Sequence, residues 1–304
     1  MIEKTYETSS GVIHYWTNEV DESSESALIF LPGLTADHRL FEKQIEYFKD
    51  TYRVLVWDAP GHASSYPFRL DFTLFDLASW LDRIFVKERI KNPILIGQSM
   101  GGYVGQVYAQ LFPEKLKGLV TIDSPSLQRK YYTLSSSSAA SDVYKRQTIN
   151  SPSLQRKYYT AMELWFLKNM EAIYRIYPWK SLLKSGPKSV STTDYGRKLM
   201  YDMMMVYDCD QKRYARLAGY GYKIFSEAVE KKLSYEVKCP QLVICGKEDR
   251  AGSCIRYLKA YERNTGKSVQ WIDEAGHNSN TDQPDIVNRL INEFLNNKIK
   301  EKLG

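Results

Sequence analysis

The chain has 304 residues, 43% of them hydrophobic and 26% charged, with a formal net charge of +6. That is enough to build a large α/β core, with or without a subdomain, and it argues against disorder of the whole chain. Half of the excess charge lies in residues 124–150, and no stretch is long and apolar enough to span a bilayer, so neither a nucleic-acid partner nor a membrane span is expected. The N-terminal MIEKTYETSSGVIHYW has no apolar signal core, which predicts a cytoplasmic protein, monomeric or homodimeric.

The first predicted element is GVIHYWTN (11–18), an antiparallel edge strand. Short aliphatic runs follow: ALIFLPG (27–33), RVLVWDAPG (53–61), NPILIGQS (92–99) and GLVTID (118–123), then PQLVICG (240–246) and SVQWIDEAG (268–276). Runs this continuously apolar predict strands buried on both faces of a parallel sheet. Helical patterns lie between them. RLFEKQIEYFKD (39–50) sets Leu40, Phe41, Ile45 and Phe48 on one side, and residues 70–90 continue the pattern at greater length. Strand and helix in alternation predict an α/β fold with a doubly wound, mostly parallel sheet.

After GLVTID the rhythm breaks. SPSLQRKYYT occurs at 124–133 and again, letter for letter, at 151–160, an offset of 27 residues. Two identical copies do not make a solenoid, which needs at least about three repeats. The Ser-rich stretch between them resembles translated adapter sequence. Residues 124–150 are therefore read as a duplicated flexible insertion that contributes no function. Residues 151–235 form a predicted helical lid rich in large side chains, including Trp165, Phe166, Trp179, Met200, Met203 and Met204. Packing within the lid is the expected role of each, and together they imply that the lid covers something apolar. The core is then 1–123 and 236–304.

The sharpest chemical signal is Gly97-Gln98-Ser99-Met100-Gly101, a G-x-S-x-G between an apolar strand and a Gly-rich helix start. A serine on such a turn is exposed as a nucleophile, and the small flanking residues let the backbone bend without clashes. A hydroxyl needs a base. Of four histidines, His277 follows the last strand and comes after the serine, as Ser…Asp…His order requires. His14 reads as structural, His62 as a loop hydrogen-bonder, and His38 as a possible substrate contact. Asp249, after LVICG, is the favoured acid to orient His277, with Asp123 as the alternative. The backbone N–H groups of Leu34 and Met100 are the expected oxyanion donors. The four cysteines form no CxxC pair, and no metal ligand set is read.

FLPGLTADHRLF, VLVWDAPGHASS, LIGQSMGG, LVICGKEDR and EAGHNSNTDQPDIVNRLINEFL together resemble the α/β-hydrolase superfamily, in particular small bacterial hydrolases with a helical cap. The resemblance spans roughly residues 11 to 300 without the duplicated segment. It implies a Ser–His–Asp triad, an acyl-enzyme intermediate and no cofactor. The oxyanion loop departs from many members in beginning Pro-Gly rather than His-Gly, and no proline follows Asp249. The function expected is hydrolysis of a carboxylic ester, thioester or lactone of a small to medium apolar acyl group. The alternatives are a carbon–carbon bond hydrolase or lyase of the same fold, and a ligand-binding protein without turnover.

Overall fold

The computed structural model describes residues 1–18, 26–127, 161–231 and 233–300. Its centre is one eight-stranded sheet. The strands are β1 (Ile2–Thr8), β2 (Gly11–Thr17), β3 (Ser26–Leu31), β4 (Arg53–Trp57), β5 (Asn92–Gln98), β6 (Gly118–Ile122), β7 (Gln241–Gly246) and β8 (Gln270–Ile272). Their spatial order is β1-β2-β4-β3-β5-β6-β7-β8. From β4 to β8 all neighbours are parallel, and β1–β2 and β2–β4 are antiparallel. The aliphatic runs therefore form the parallel strands they predict. Their side chains are buried because helices cover both faces.

GVIHYWTN is not the edge strand. It pairs on one side with β4 and on the other with β1 in full register, Ile2 opposite Thr17 through Thr8 opposite Gly11. β1 carries no strand signal in the sequence, because IEKTYET has no apolar alternation. It is half-exposed along its length, as an edge strand against water should be.

Three helices pack against the first half of the sheet: α1 (Glu42–Phe48), α2 (Leu74–Lys87) and α3 (Met100–Leu111). The predicted stripe Leu40, Phe41, Ile45 and Phe48 is buried as a unit, its first two residues in a short 3-10 turn before α1. α2 starts in a reciprocal capping box between Thr73 and Asp76, and buries Leu74, Leu77, Ala78, Leu81, Ile84 and Phe85. α3 lies hard against the sheet. A Cβ at Gly101 would sit 1.9 Å from the Leu31 carbonyl oxygen, so only glycine lets the start of α3 press against β3.

Among the described residues between β6 and β7 lie five helices: α4 (Ala161–Lys168), α5 (Met170–Ile176), α6 (Trp179–Val190), α7 (Asp194–Met205) and α8 (Gln211–Glu230). Met200, Met203, Met204 and Tyr207 are buried at helical spacing. The first aromatic group departs from the expected packing. Trp179 is buried, but Met162, Trp165, Phe166 and Tyr177 are exposed, Trp165 to 65%. Beyond β7 come α9 (Cys254–Thr265), α10 (Ser279–Asp282) and α11 (Pro284–Phe294), then a π-helical turn over Leu295–Lys300.

The duplicated segment needs one correction at its start. Residues 124–127 are a packed continuation of β6. Ser124 and Leu127 are buried. The Gln106 side chain clamps the segment, donating from Nε2 to Pro125 O (3.0 Å) and accepting at Oε1 from Leu127 N–H (2.7 Å). Leu127 supplies the reason, since it adds an apolar side chain to the core around α3. The rest of the predicted insertion, residues 128–150, and the second copy at 151–160 lie outside the described residues.

Gly101→Ala should destabilise the fold by about 1–3 kcal/mol, because the Leu31 carbonyl cannot retreat without breaking the β3 ladder. Urea denaturation measures this. An unchanged midpoint would show that α3 can shift away from the sheet.

Candidate active site

The turn from β5 into α3 places Ser99. Its backbone has φ 49° and ψ −115°, a conformation that a residue with a Cβ rarely adopts. The neighbouring glycines make it possible. A Cβ at Gly97 would lie 2.3 Å from the Gly101 carbonyl carbon, so the two backbones touch across the turn. Ser99 N–H is held by Ile122 O at 2.9 Å, which ties the turn to β6.

The loops after β7 and β8 bring two further side chains to the serine. His277 Nε2 lies 2.9 Å from Ser99 Oγ, and its Nδ1 lies 2.9 Å from Asp249 Oδ2. Asp249 Oδ1 accepts from Ala251 N–H at 2.7 Å, which fixes the carboxylate plane. All three predicted residues thus meet in one chain of hydrogen bonds. The carboxylate on His277 is that of Asp249. A carboxylate only accepts, so Nδ1 carries the hydrogen and Nε2 presents its lone pair to the serine hydroxyl.

Asp123 lies one layer behind. It has φ 50° and is fully buried. Its Oδ1 accepts from Gly246 N–H (2.7 Å), and its Oδ2 accepts from Ser279 N–H (3.0 Å) and Ser279 Oγ–H (2.6 Å). It therefore braces the two loops that carry Asp249 and His277.

The electrostatics separate the two carboxylates. Burial raises Asp123 well above the ordinary carboxylate value, and the nearby Asp249 charge adds to the rise. Burial acts to raise Asp249, but His277, together with the hydrogen bonds from Cys254 and Ala251 N–H, outweighs it and holds Asp249 below its usual value. Burial acts to lower His277, and Asp249 outweighs that too, leaving His277 above 6.5. The sign for folding follows. Protonation of His277 favours the folded state, a contribution complete below pH 6.5 and lost as pH rises through the higher folded value.

The start of α3 and the loop after β3 complete the setting. Met100 opens α3, so its N–H is among the four that a helix leaves without an intrahelical acceptor. Gly33 and Leu34 lie across from it, and a Cβ at Gly33 would sit 3.2 Å from Ser99 Cβ. Beside this turn is a small apolar cavity of ≈ 20 Å³, room for about one water-sized group. Gly33, Leu34, Met100 and Val104 form one wall, Trp57, His62, Phe72 and Leu77 another, and Leu217, Tyr220 and Ile224 of α8 close it. α8 comes this close because position 221 is glycine, where a Cβ would strike Leu34 Cδ1 at 2.3 Å.

His38 is not among the residues lining that cavity. Its ring stacks on Trp16 at 3.8 Å between centroids, and both its N–H and its Nδ1 contact Asp58 Oδ1. His14 contacts Glu3. Two residues that the sequence reading did not single out hold the His277 loop. Gln98 Nε2 donates to His277 O (2.7 Å) and Asn278 Oδ1 (3.1 Å). Asp282 accepts from Gly276 N–H and from Thr192 N–H and Thr193 N–H, and so links the α6–α7 junction to the same loop. Gln98 stands at a variable position of its motif and Asp282 reads as an ordinary helix residue, so neither carries a sequence signal.

Comparison with known proteins identifies the fold. Residues 26–284 match the family model described as the alpha/beta hydrolase fold. The 3-oxoadipate enol-lactonase 2 of Acinetobacter baylyi is 24% identical over 278 residues, covering 89% of this chain and 88% of its own. Two solved structures share the fold. The enol-lactonase from Burkholderia xenovorans superposes with a TM-score of 0.66 at 17% identity, covering 96% of this chain and 100% of its own. An N-acyl homoserine lactonase, solved as a mutant with N-hexanoyl homoserine lactone, superposes with a TM-score of 0.70 at 18% identity, covering 99% of both chains.

Asp123→Asn should lower the thermal midpoint by the equivalent of about 1–3 kcal/mol, because an amide –NH2 would face at least one of the three donors now aimed at the carboxylate. It also removes a charge that holds His277 up, so any pH-dependent property set by His277 should shift to lower pH. Calorimetry and an NMR titration of the ring test both, and an unchanged midpoint would remove Asp123 as a brace.

Proposed function

The chain belongs to the α/β hydrolase fold family, and within it we propose a serine hydrolase that cleaves a carboxylic ester, thioester or lactone of a small to medium apolar acyl substrate. The observation that carries this reading is the unbroken relay from Ser99 Oγ through His277 to Asp249.

In this reading Ser99 Oγ attacks the carbonyl carbon while His277 Nε2 takes its proton. Asp249 stabilises the imidazolium that forms and keeps the ring in the tautomer the step requires. The carbonyl oxygen becomes an oxyanion between the N–H groups of Leu34 and Met100, and α3 adds the positive end of its dipole. Collapse of the intermediate breaks the bond to the leaving oxygen or sulfur, which takes the proton from His277. Water then repeats the sequence on the acyl-enzyme, freeing the acid and restoring Ser99. Position 99 is a serine, so a mechanism through an aspartyl ester at the elbow has no nucleophile here. The enol-lactonase relative and the lactonase and enol-lactonase structures support the acyl-transfer reading, with lactones as the first substrates to try.

A panel of p-nitrophenyl esters of increasing chain length, with simple lactones alongside, tests the reading. Turnover should be greatest on short chains and should vanish in Ser99→Ala, with the thermal midpoint kept. Asp249→Asn should lower kcat by on the order of 10⁴, because the ring loses the acceptor that fixes its tautomer. The base works only when neutral, so kcat/KM should fall on the acid side through an inflection above pH 6.5. Activity retained in Ser99→Ala, or an acid limb centred below pH 6, would contradict the assignments.

A further inference from the structure

The loop after β3, residues 32–37, is held in a shape it would not keep alone. Thr35 has φ 64°, in the left-handed region that a β-branched residue adopts only under constraint. The turn's own backbone bond, Ala36 N–H to Gly33 O, is long at 3.3 Å. The constraint comes from outside the loop. On one side Gly33 rests on the elbow, where a Cβ would sit 2.2 Å from Gln98 Oε1 and 3.2 Å from Ser99 Cβ.

On the other side α7 and α8 close on the loop. At Gly221 of α8 a Cβ would strike Leu34 Cδ1 at 2.3 Å and Met100 Cε at 2.7 Å. α8 therefore packs on the side chains of both residues assigned as oxyanion donors. A side-chain hydrogen bond joins Tyr214 of α8 to the hydroxyl of Thr35. Asp37 N–H donates to Met203 Sδ of α7 at 3.4 Å. Thr35 is 6% exposed and Asp37 2%, so water does not stand ready to replace either bond. Tyr214 is itself fixed, its ring edge-on to those of Tyr174, Trp179 and Tyr207 at 5.2 to 5.6 Å between centroids. Burial pushes its phenol up to about 12, so the hydroxyl stays protonated.

The Leu34 N–H moves with this loop. An oxyanion donor is worth most when its place is fixed before the charge develops. We propose that Tyr214 and Met203 are positioning residues for the oxyanion: through Thr35 and Asp37 they fix the loop that carries the Leu34 N–H. The helices between β6 and β7 then contribute to the chemistry without touching the reacting atoms. This inference rests on the serine-hydrolase reading above. The competing account is side-chain packing with no bearing on the loop.

Tyr214→Phe and Thr35→Val each remove one hydroxyl and keep the shape of the side chain. With a p-nitrophenyl ester, each should lower kcat by about tenfold or more and leave KM within about twofold, because the loss falls on the transition state and not on the bound ester. The double variant should lose no more than either single one, since both break the same bond. Affinity for butylboronic acid, which Ser99 Oγ attacks to give a tetrahedral boronate, should fall in step with kcat. Met203→Leu removes the sulfur acceptor and should lower kcat in the same direction. An unchanged kcat in Tyr214→Phe, a loss confined to KM, or losses that multiply in the double variant would overturn the proposal. Backbone amide order parameters for residues 34–37, measured by NMR without substrate, read the loop directly and need no turnover. They should fall in Tyr214→Phe and in Thr35→Val while the strands keep theirs. Such loosening, with no ester or lactone hydrolysis by the wild type, would keep the positioning and overturn the serine-hydrolase reading. Unchanged order in the loop would overturn the positioning, whatever the hydrolysis.

Discussion

Everything in this site depends on one backbone constraint, the turn at Ser99 with φ 49° and ψ −115°. A residue with a Cβ persists there only because the surroundings permit nothing else. Gly97 and Gly101 allow the strand and helix to meet, β6 holds the Ser99 N–H, and α3 presses on β3 through Gly101. The consequence is chemical. The turn sets the hydroxyl at the start of α3, within 2.9 Å of His277 Nε2 and beside Gly33. In the proposed mechanism, relaxing the turn would separate Ser99 Oγ from His277 and from the two N–H groups assigned to the oxyanion, so its strain and its reactivity would have one origin.

Two buried carboxylates within one shell of a histidine would ordinarily be costly. Here they are divided by their partners. Asp249 takes the ring of His277 and one backbone N–H, and stays charged below its usual value. Asp123 takes three donors from the loops that carry Asp249 and His277, and burial raises it. One carboxylate orients the His277 ring while the other fixes the loops around it. Gln98 and Asp282 extend that bracing, Asp282 as far as the helices between β6 and β7. A shift of those helices therefore acts on the His277 loop through hydrogen bonds as well as through packing.

The parallel strands were legible because burial on both faces writes continuous aliphatic runs, and Ser99, His277 and Asp249 because strand ends and chain order limit the choices. What escaped has physical reasons. β1 is polar on both faces and has no alternation to read. Met162, Trp165 and Phe166 sit at helical spacing yet face solvent, because spacing alone cannot say which stripe of a helix meets the core. His38 lies near the oxyanion loop in sequence, but the buried Asp58 and the Trp16 ring capture it. His62 bonds its own loop, as its turn context suggests.

The central claim is that Ser99 carries the acyl group during turnover. The most direct measurement is rapid acid quench during the steady state with a p-nitrophenyl ester, followed by mass spectrometry of the digested protein. The account predicts the mass of the acyl group on the peptide that contains Ser99, formed as fast as p-nitrophenol is released in the first turnover. Sustained hydrolysis with that peptide unmodified, or the acyl group on any other residue, would contradict it.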